Sequence, residues 1–259
     1  MRFAERVVLI TGAASGFGRL AAERFAGEGA KLSLSDISED RLAETADLVR
    51  SRGGDVVTSR VDVSDEADIA QQVQRTLEHY GQLDVAINNA GVGHALARLP
   101  DLPVEEFDRV MAINARGVFL GMKYQLPTMV ERGEGAILNV ASAAGVVGAG
   151  MLAAYAASKH AVVGLTRTAA DEFARKNVRI NALCPSFAVT PLFNDMADEI
   201  ATARQESRSE AYSRITQRIP MRRVAEPEEV VQAMLWICSP ENSFMTGQAI
   251  SIDGGLTAV

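Results

Sequence analysis

Val7-Val8-Leu9-Ile10-Thr11-Gly12-Ala13-Ala14-Ser15-Gly16-Phe17-Gly18 is the stretch that decides how this chain folds. A short β-branched run bounded by glycine reads as a buried strand. The helical pattern from Gly16 to Ala26 follows at once. Glycines between a strand and a helix let the backbone approach a pyrophosphate, and the helix start offers free N–H groups and a positive dipole end. The spacing is Gly-x-x-x-Gly-x-Gly rather than Gly-x-Gly-x-x-Gly. A plain tight turn also uses glycine, so the position between strand and helix, and not the glycines alone, favours a ligand loop. Its candidate cofactor contacts are Gly12, Ser15, Gly16, Phe17 and Gly18.

Outward from this loop, short apolar runs alternate with helical patterns. Strands are expected at 31–35, 56–61, 83–87, 136–140, 178–183 and 249–252. Helices are expected at 39–51, 66–79, across 104–131, at 153–175 and at 226–238. Strict alternation predicts an α/β fold, a doubly wound parallel sheet of seven strands with helices on both faces. No linker or repeat divides 1–259, which reads as one domain. The polar, charged segment 191–223 breaks the rhythm. It falls after the sixth strand, at the carboxyl end of the sheet, where such folds bind ligands. It reads either as a lid over that end or as a solvated helix pair.

The bulk numbers exclude several classes. The net charge of −7 argues against a general nucleic-acid or anionic-membrane binder. Two isolated cysteines, Cys184 and Cys238, make neither a disulfide framework nor a zinc site, and three scattered histidines add no metal-ligand spacing. No metal is expected. Residues 136–158 carry no full charge, but their glycines, Asn139, Ser142 and Tyr155 speak for strand, loop and helix start rather than a membrane span. With no signal peptide at the N-terminus, a cytoplasmic location is the default expectation.

Two further features carry chemistry. Asp36 ends the second strand, where a carboxylate can accept from both adenosine ribose hydroxyls and repel a 2′-phosphate. With Ser15 in the loop and Ile37 after the acid, neither of them a cation, NAD is the expected cofactor; capping the next helix is the other use open to Asp36. Tyr155 and Lys159 stand at i and i+4, one helix face, with Ser142 upstream. A neighbouring ammonium favours phenolate and lowers a tyrosine pKa. Such a phenol can exchange a proton with an alcohol or carbonyl oxygen that the serine also touches.

In order and spacing these residues resemble the short-chain dehydrogenases/reductases of about 250 residues, over essentially the whole chain. Thr11-Gly12-x-x-x-Gly16-x-Gly18 is similar to that family's cofactor loop, Asp62-Val63 to its adenine-side pair, and Asn88-Asn89-Ala90-Gly91 to its turn after the fourth strand. Asn114, Ser142, Tyr155 and Lys159 resemble its catalytic tetrad, and Ile252-Asp253-Gly254-Gly255 its C-terminal signature. The resemblance implies a Rossmann fold and roles for single residues. Tyr155 is then the acid/base, and Lys159 its tuner and a ribose ligand. Ser142 polarises the substrate oxygen, and Asn114 holds a water. Asn89, Ala90, Gly91, Pro185 and Thr190 line the cofactor groove. One motif departs: Ser186 stands after Pro185 where the family usually has glycine, which puts local geometry at the nicotinamide end in question.

The expected substrate pocket comprises Ser142, Tyr155, His94, Ala144, Met151, Phe187, Phe193 and Met196. It is mostly apolar, which suits a largely uncharged, possibly alicyclic secondary alcohol or ketone. Two other readings remain: a 3-oxoacyl carrier-protein reductase, which the acidic balance and Asp36 disfavour, and a catalytically silent nucleotide sensor, for which the tetrad has no use. The family is typically dimeric or tetrameric. The alanines Ala153, Ala156, Ala157, Ala161 and Ala169 permit close helix approach, either across a homodimer or homotetramer contact or within the core.

Overall fold

The computed structural model describes residues 1–259. β1 (Val7–Thr11) is buried along its whole length and pairs in parallel with β2 (Lys31–Asp36) on one side and β4 (Val85–Asn88) on the other. β3 (Val56–Arg60), β5 (Gly135–Val140), β6 (Val178–Pro185) and β7 (Ala249–Ile252) complete a seven-stranded sheet ordered β3-β2-β1-β4-β5-β6-β7, every pair parallel. This is the doubly wound fold the alternation predicts. The order reverses between β1 and β4, which opens a crevice at their carboxyl ends.

The apolar side chains explain why both faces are covered. On one face, α1 (Gly16–Gly27), α2 (Glu39–Ser51) and α9 (Pro227–Cys238) bring Phe25, Leu42, Val49 and Met234 onto Val8, Ile10, Leu32 and Leu34. On the other, α3 (Glu66–Tyr80), α5 (Gly117–Arg132) and α6 (Ala153–Phe173) pack Val73, Met122, Met129 and Val162 on Leu9, Ile137 and Ile180. Each such buried aliphatic side chain contributes roughly 1.5–3 kcal/mol.

One expected boundary shifts, and two segments gain detail. β4 begins at Val85, not Leu83, because Asp84 turns its carboxylate to the Val7 N–H (2.8 Å) and Arg6 (2.9 Å). The helical stretch after β4 is two helices, α4 (Val104–Met111) and α5, joined by a π turn over Ala112–Arg116. Such single wide turns cluster at functional sites, and this one carries Asn114. The segment after β6 is a helix pair, α7 (Pro191–Arg204) and α8 (Arg208–Thr216), with a small apolar centre of Phe193, Ala197 and Ile215. Its two ends meet at the base, where Val189 N–H donates to Ala225 C=O and Ala225 N–H to Phe187 C=O.

Candidate active site

The parallel sheet delivers the predicted residues to one end. The glycine loop follows β1, Asp36 ends β2, Asn89 follows β4, Ser142 follows β5 and Thr190 follows β6. The loop is compact: a Cβ on Gly18 would lie 2.1 Å from Gly12 O, and one on Gly12 would lie 2.8 Å from Ala90 Cα. Asn89 clamps the same turn, donating to Thr11 O (2.9 Å) and Gly12 O (3.1 Å). Asp36 accepts from Ala14 N–H and Ser38 N–H, each at 3.0 Å. Its carboxylate thus braces the glycine loop and also holds the Ser38 N–H at the start of α2. Ile37 is exposed beside it. Asp62 accepts from Ser64 N–H (2.9 Å) and forms the turn into α3, with Val63 half-buried after it.

Glycine loop, half-buried Asp36 and the α1 N-terminus together fit a dinucleotide. The backbone is close enough for a pyrophosphate. Two cations stand near the acid: Arg60 is its register partner on β3, and Arg41 donates to Ser38 Oγ (3.1 Å).

The chemistry-bearing side chains gather where α6 meets β5. Lys159 is buried and donates to Val140 O (2.8 Å), with Nζ 5.6 Å from the centre of the Tyr155 ring. Gly91 passes over it, its Cβ direction 3.4 Å from Lys159 Nζ and 3.2 Å from Asn114 Oδ1. Asn114, wholly buried, accepts from Val92 N–H (2.8 Å) and donates to Val92 O (2.9 Å) and Ser158 Oγ (3.1 Å). Ser158 then donates to Tyr155 O (2.7 Å). Ser142 Oγ accepts from Ala144 N–H (3.1 Å).

One electrostatic expectation is corrected. Although part of Tyr155 meets solvent, protein crowds its phenol, and burial raises its pKa above the ordinary value; a hydrogen bond with Ser142 pulls the other way. No hydrogen bond from Lys159 reaches the phenol to lower it. Burial drops the ammonium itself to about 8. In low-dielectric surroundings both charged forms are disfavoured, and the lysine proton is directed at Val140 rather than at the phenol.

The remaining predicted pocket residues divide. Ala144 is buried beside Ser142, and Met151 is 44% exposed at the mouth with a left-handed backbone (φ 68°). Phe193 turns inward to Phe187 (5.9 Å) and Tyr212 (4.9 Å), with Met196 against the same cluster, so these side chains build the 191–223 segment itself. Pro185 is the last residue of β6. Thr190 caps α7 by accepting from Phe193 N–H (3.3 Å). Ser186, in the unusual position, is half-buried and donates its N–H to Ile252 O (3.1 Å), so β6 and β7 stay paired through it.

Three residues escaped the sequence reading. Ser158 holds Asn114; Arg109 donates to Gly93 O (2.9 Å); and Glu199 on α7 accepts from Leu96 N–H (2.7 Å). Only Ser158, beside Lys159 in sequence, left any signal. The Asp253-Gly254-Gly255 motif acts at the far end of the same segment. Gly254 O accepts from Met221 N–H (3.2 Å), and Gly255 lies against Pro220. A concavity at the opposite, amino end of the sheet is lined by Arg6, Asp84 and Glu134, where Arg6 pairs with both carboxylates.

Comparison with known proteins agrees with this geometry. The sequence model of the family described as Enoyl-(Acyl carrier protein) reductase matches residues 12–257. The chain is similar to levodione reductase of Leifsonia aquatica, 39% identical over 99% of this chain and 96% of the relative. A crystal structure of levodione reductase superposes with a TM-score of 0.96, at 39% identity, covering 99% of each chain. The 2,5-dichloro-2,5-cyclohexadiene-1,4-diol dehydrogenase of Sphingobium indicum is 40% identical over 98% of both chains. NAD+-bound xylitol dehydrogenase superposes with a TM-score of 0.94 at 31% identity, covering 98% of this chain and 100% of that one.

Proposed function

The chain belongs to the short-chain dehydrogenase/reductase family of NAD(P)-dependent oxidoreductases acting on alcohols and ketones, and on that footing we propose that it interconverts a largely uncharged, alicyclic secondary alcohol and its ketone with NAD. The observation that carries this reading is the meeting of Asn114, Ser142, Tyr155 and Lys159 beneath the glycine-loop crevice. A bound nicotinamide supplies the hydride acceptor or donor. Gly12, Ser15, Gly16, Phe17 and Gly18 would hold its pyrophosphate side, Asp36 and Ile37 the adenosine ribose, Asp62 and Val63 the adenine side. Asn89, Ala90, Gly91, Pro185 and Thr190 would line the rest of the groove.

Tyr155 takes the proton from the alcohol oxygen in oxidation and returns it in reduction, while Ser142 donates to or accepts from the same oxygen. Lys159 supplies positive charge and donors beside the phenol. Asn114 fixes the Gly91–Val92 turn above that lysine and serves as the anchor for a water. The 191–223 segment is the substrate lid of a single 1–259 dehydrogenase domain, closing over His94, Ala144, Met151 and Phe187. The apolar lining supports an uncharged substrate, and a relative whose name specifies a cyclic diol supports an alicyclic one.

Asp36 supports NAD over NADP, since its carboxylate repels a 2′-phosphate. It also weighs against a carrier-linked acyl reductase, as does the net charge of −7. Exposed Phe107, Phe119, Trp236 and Phe244 support a homodimer or homotetramer. No helix is long and apolar enough to cross a membrane, and a cytoplasmic location suits the two buried free thiols. The test is nicotinamide absorbance with NAD or NADP against cyclic, linear and steroidal secondary alcohols and a carrier-linked 3-oxoacyl group. Turnover of cyclic alcohols with NAD is the expected result; turnover confined to the acyl substrate with NADPH overturns it.

A further inference from the structure

Segment 91–97 forms a wall between the catalytic lysine and the lid. Gly91 lies over Lys159 and Asn114, and the Cβ direction of Gly93 meets Leu192 Cδ1 of α7 at 3.2 Å. The wall is pinned along its length. Gly93 O accepts from Arg109 (2.9 Å), Leu96 N–H donates to Glu199 (2.7 Å), and Ala97 N–H donates to Met151 O (3.1 Å).

His94 sits in the middle of this wall. Its Nδ1 lies 2.8 Å from Ala95 O. A carbonyl oxygen only accepts, so Nδ1 carries the hydrogen and the ring is held as one tautomer. That leaves Nε2 as a lone pair. Nε2 is buried and has no partner, and it is the one buried side-chain nitrogen or oxygen in the chain of which this is true. The charged groups of α4 nearby do not serve it: Glu106 and Arg109 are closed on each other at 2.9 and 3.0 Å. An unpaired buried acceptor is costly, and proteins keep few of them.

We infer that Nε2 of His94 accepts a hydrogen bond from a second hydroxyl of the substrate, remote from the oxygen handled by Tyr155 and Ser142. This rests on the alcohol-dehydrogenase reading above and narrows it. A lone pair recognises a donor, so the preferred substrates are diols and hydroxyketones. A mono-alcohol leaves Nε2 unpaired, and a dione sets an acceptor against an acceptor. His94 is thus a specificity residue rather than part of the proton-transfer machinery.

The test compares cyclohexanol with 1,2-, 1,3- and 1,4-cyclohexanediol. Wild-type protein should oxidise at least one diol with kcat/KM about 10- to 100-fold above cyclohexanol, the span of one buried hydrogen bond. His94→Phe should erase that preference, lowering kcat/KM for the preferred diol about 10- to 100-fold more than for cyclohexanol. His94→Gln, which keeps an acceptor, should restore part of it. Equal rates on diols and cyclohexanol, or an equal loss on both in His94→Phe, overturn the inference.

A second readout does not need turnover. In long-range 1H–15N spectra with NADH present, the His94 Nε2 resonance should start as a bare, pyridine-like nitrogen. It should move on addition of the preferred diol and stay in place with cyclohexanol. A ring protonated at Nε2 at the outset, or a resonance indifferent to every diol, also overturns it. Absence of turnover with a diol-dependent Nε2 shift would instead count against the dehydrogenase reading alone.

Discussion

Lys159 Nζ donates to the carbonyl of Val140 at 2.8 Å and stands 5.6 Å from the centre of the Tyr155 ring. The lysine is therefore positioned by the end of β5, not by the tyrosine it is expected to assist. Burial then acts on each group separately, raising the phenol and dropping the ammonium to about 8.

The depressed lysine gives a pH signature. Its folded value of about 8 lies below the ordinary 10.5, so between these the unfolded chain binds more protons and this group makes stability rise with pH. Below about pH 8 the lysine is charged in both states and the full burial penalty is present, of order 3 kcal/mol. Lys159→Met should accordingly be more stable than wild type at pH 7 in the absence of cofactor, with the difference shrinking towards pH 10. Urea unfolding at both pH values measures it; a gap that widens with pH contradicts the burial account.

Tyr155→Phe keeps the ring and removes the proton. Turnover should fall by about 10²- to 10⁴-fold, the usual worth of a positioned acid/base. NADH should still quench or enhance fluorescence on binding with little change in Kd. Retained turnover would remove Tyr155 from the proposed chemistry.

Asp36→Ala should relax the choice of cofactor. Loss of the carboxylate lets a 2′-phosphate approach and removes the ribose acceptor, so Kd for NADH should rise and that for NADPH fall, each by about 10-fold. The variant also leaves the Ala14 N–H without its partner, which should cost about 1 kcal/mol in an unfolding titration.

Glu199 links the 191–223 helix pair, the proposed lid, to the β4–α4 wall through Leu96 N–H. Glu199→Ala should let α7 open more often. Trypsin should then cut near the exposed Arg204 and Arg208, at the α7–α8 turn, about 10-fold faster than in wild type. KM for the alcohol should rise more than kcat changes. Unaltered cleavage would mean that the lid is held by its apolar contacts instead.

The sheet was legible because a parallel strand buried on both faces must be a short apolar run, and the helices between must repeat their apolar residues at helical spacing. Val7–Ile10, Ile137–Val140 and Val178–Leu183 could hardly be read otherwise. The start of β4 was less legible, because the partners of Asp84, Arg6 and Val7, lie far from it in sequence. Phe193 and Met196 read as pocket residues because an apolar side chain in a lid looks the same whether it faces substrate or, as here, its own helix pair.

The sequence by itself determined the alternation, the glycine loop and the acid after β2, and its resemblance to a family singled out Asn114, Ser142, Tyr155 and Lys159 as candidates. These are local patterns, set by spacing and by what each side chain can donate or accept. Tertiary structure alone decided that Lys159 answers to Val140, that Ser158 and the π turn hold Asn114, that Glu199 reaches Leu96, and that His94 keeps one nitrogen unpaired. Most of those facts depend on partners distant along the chain and on burial, and burial exists only once the layers have closed around the crevice.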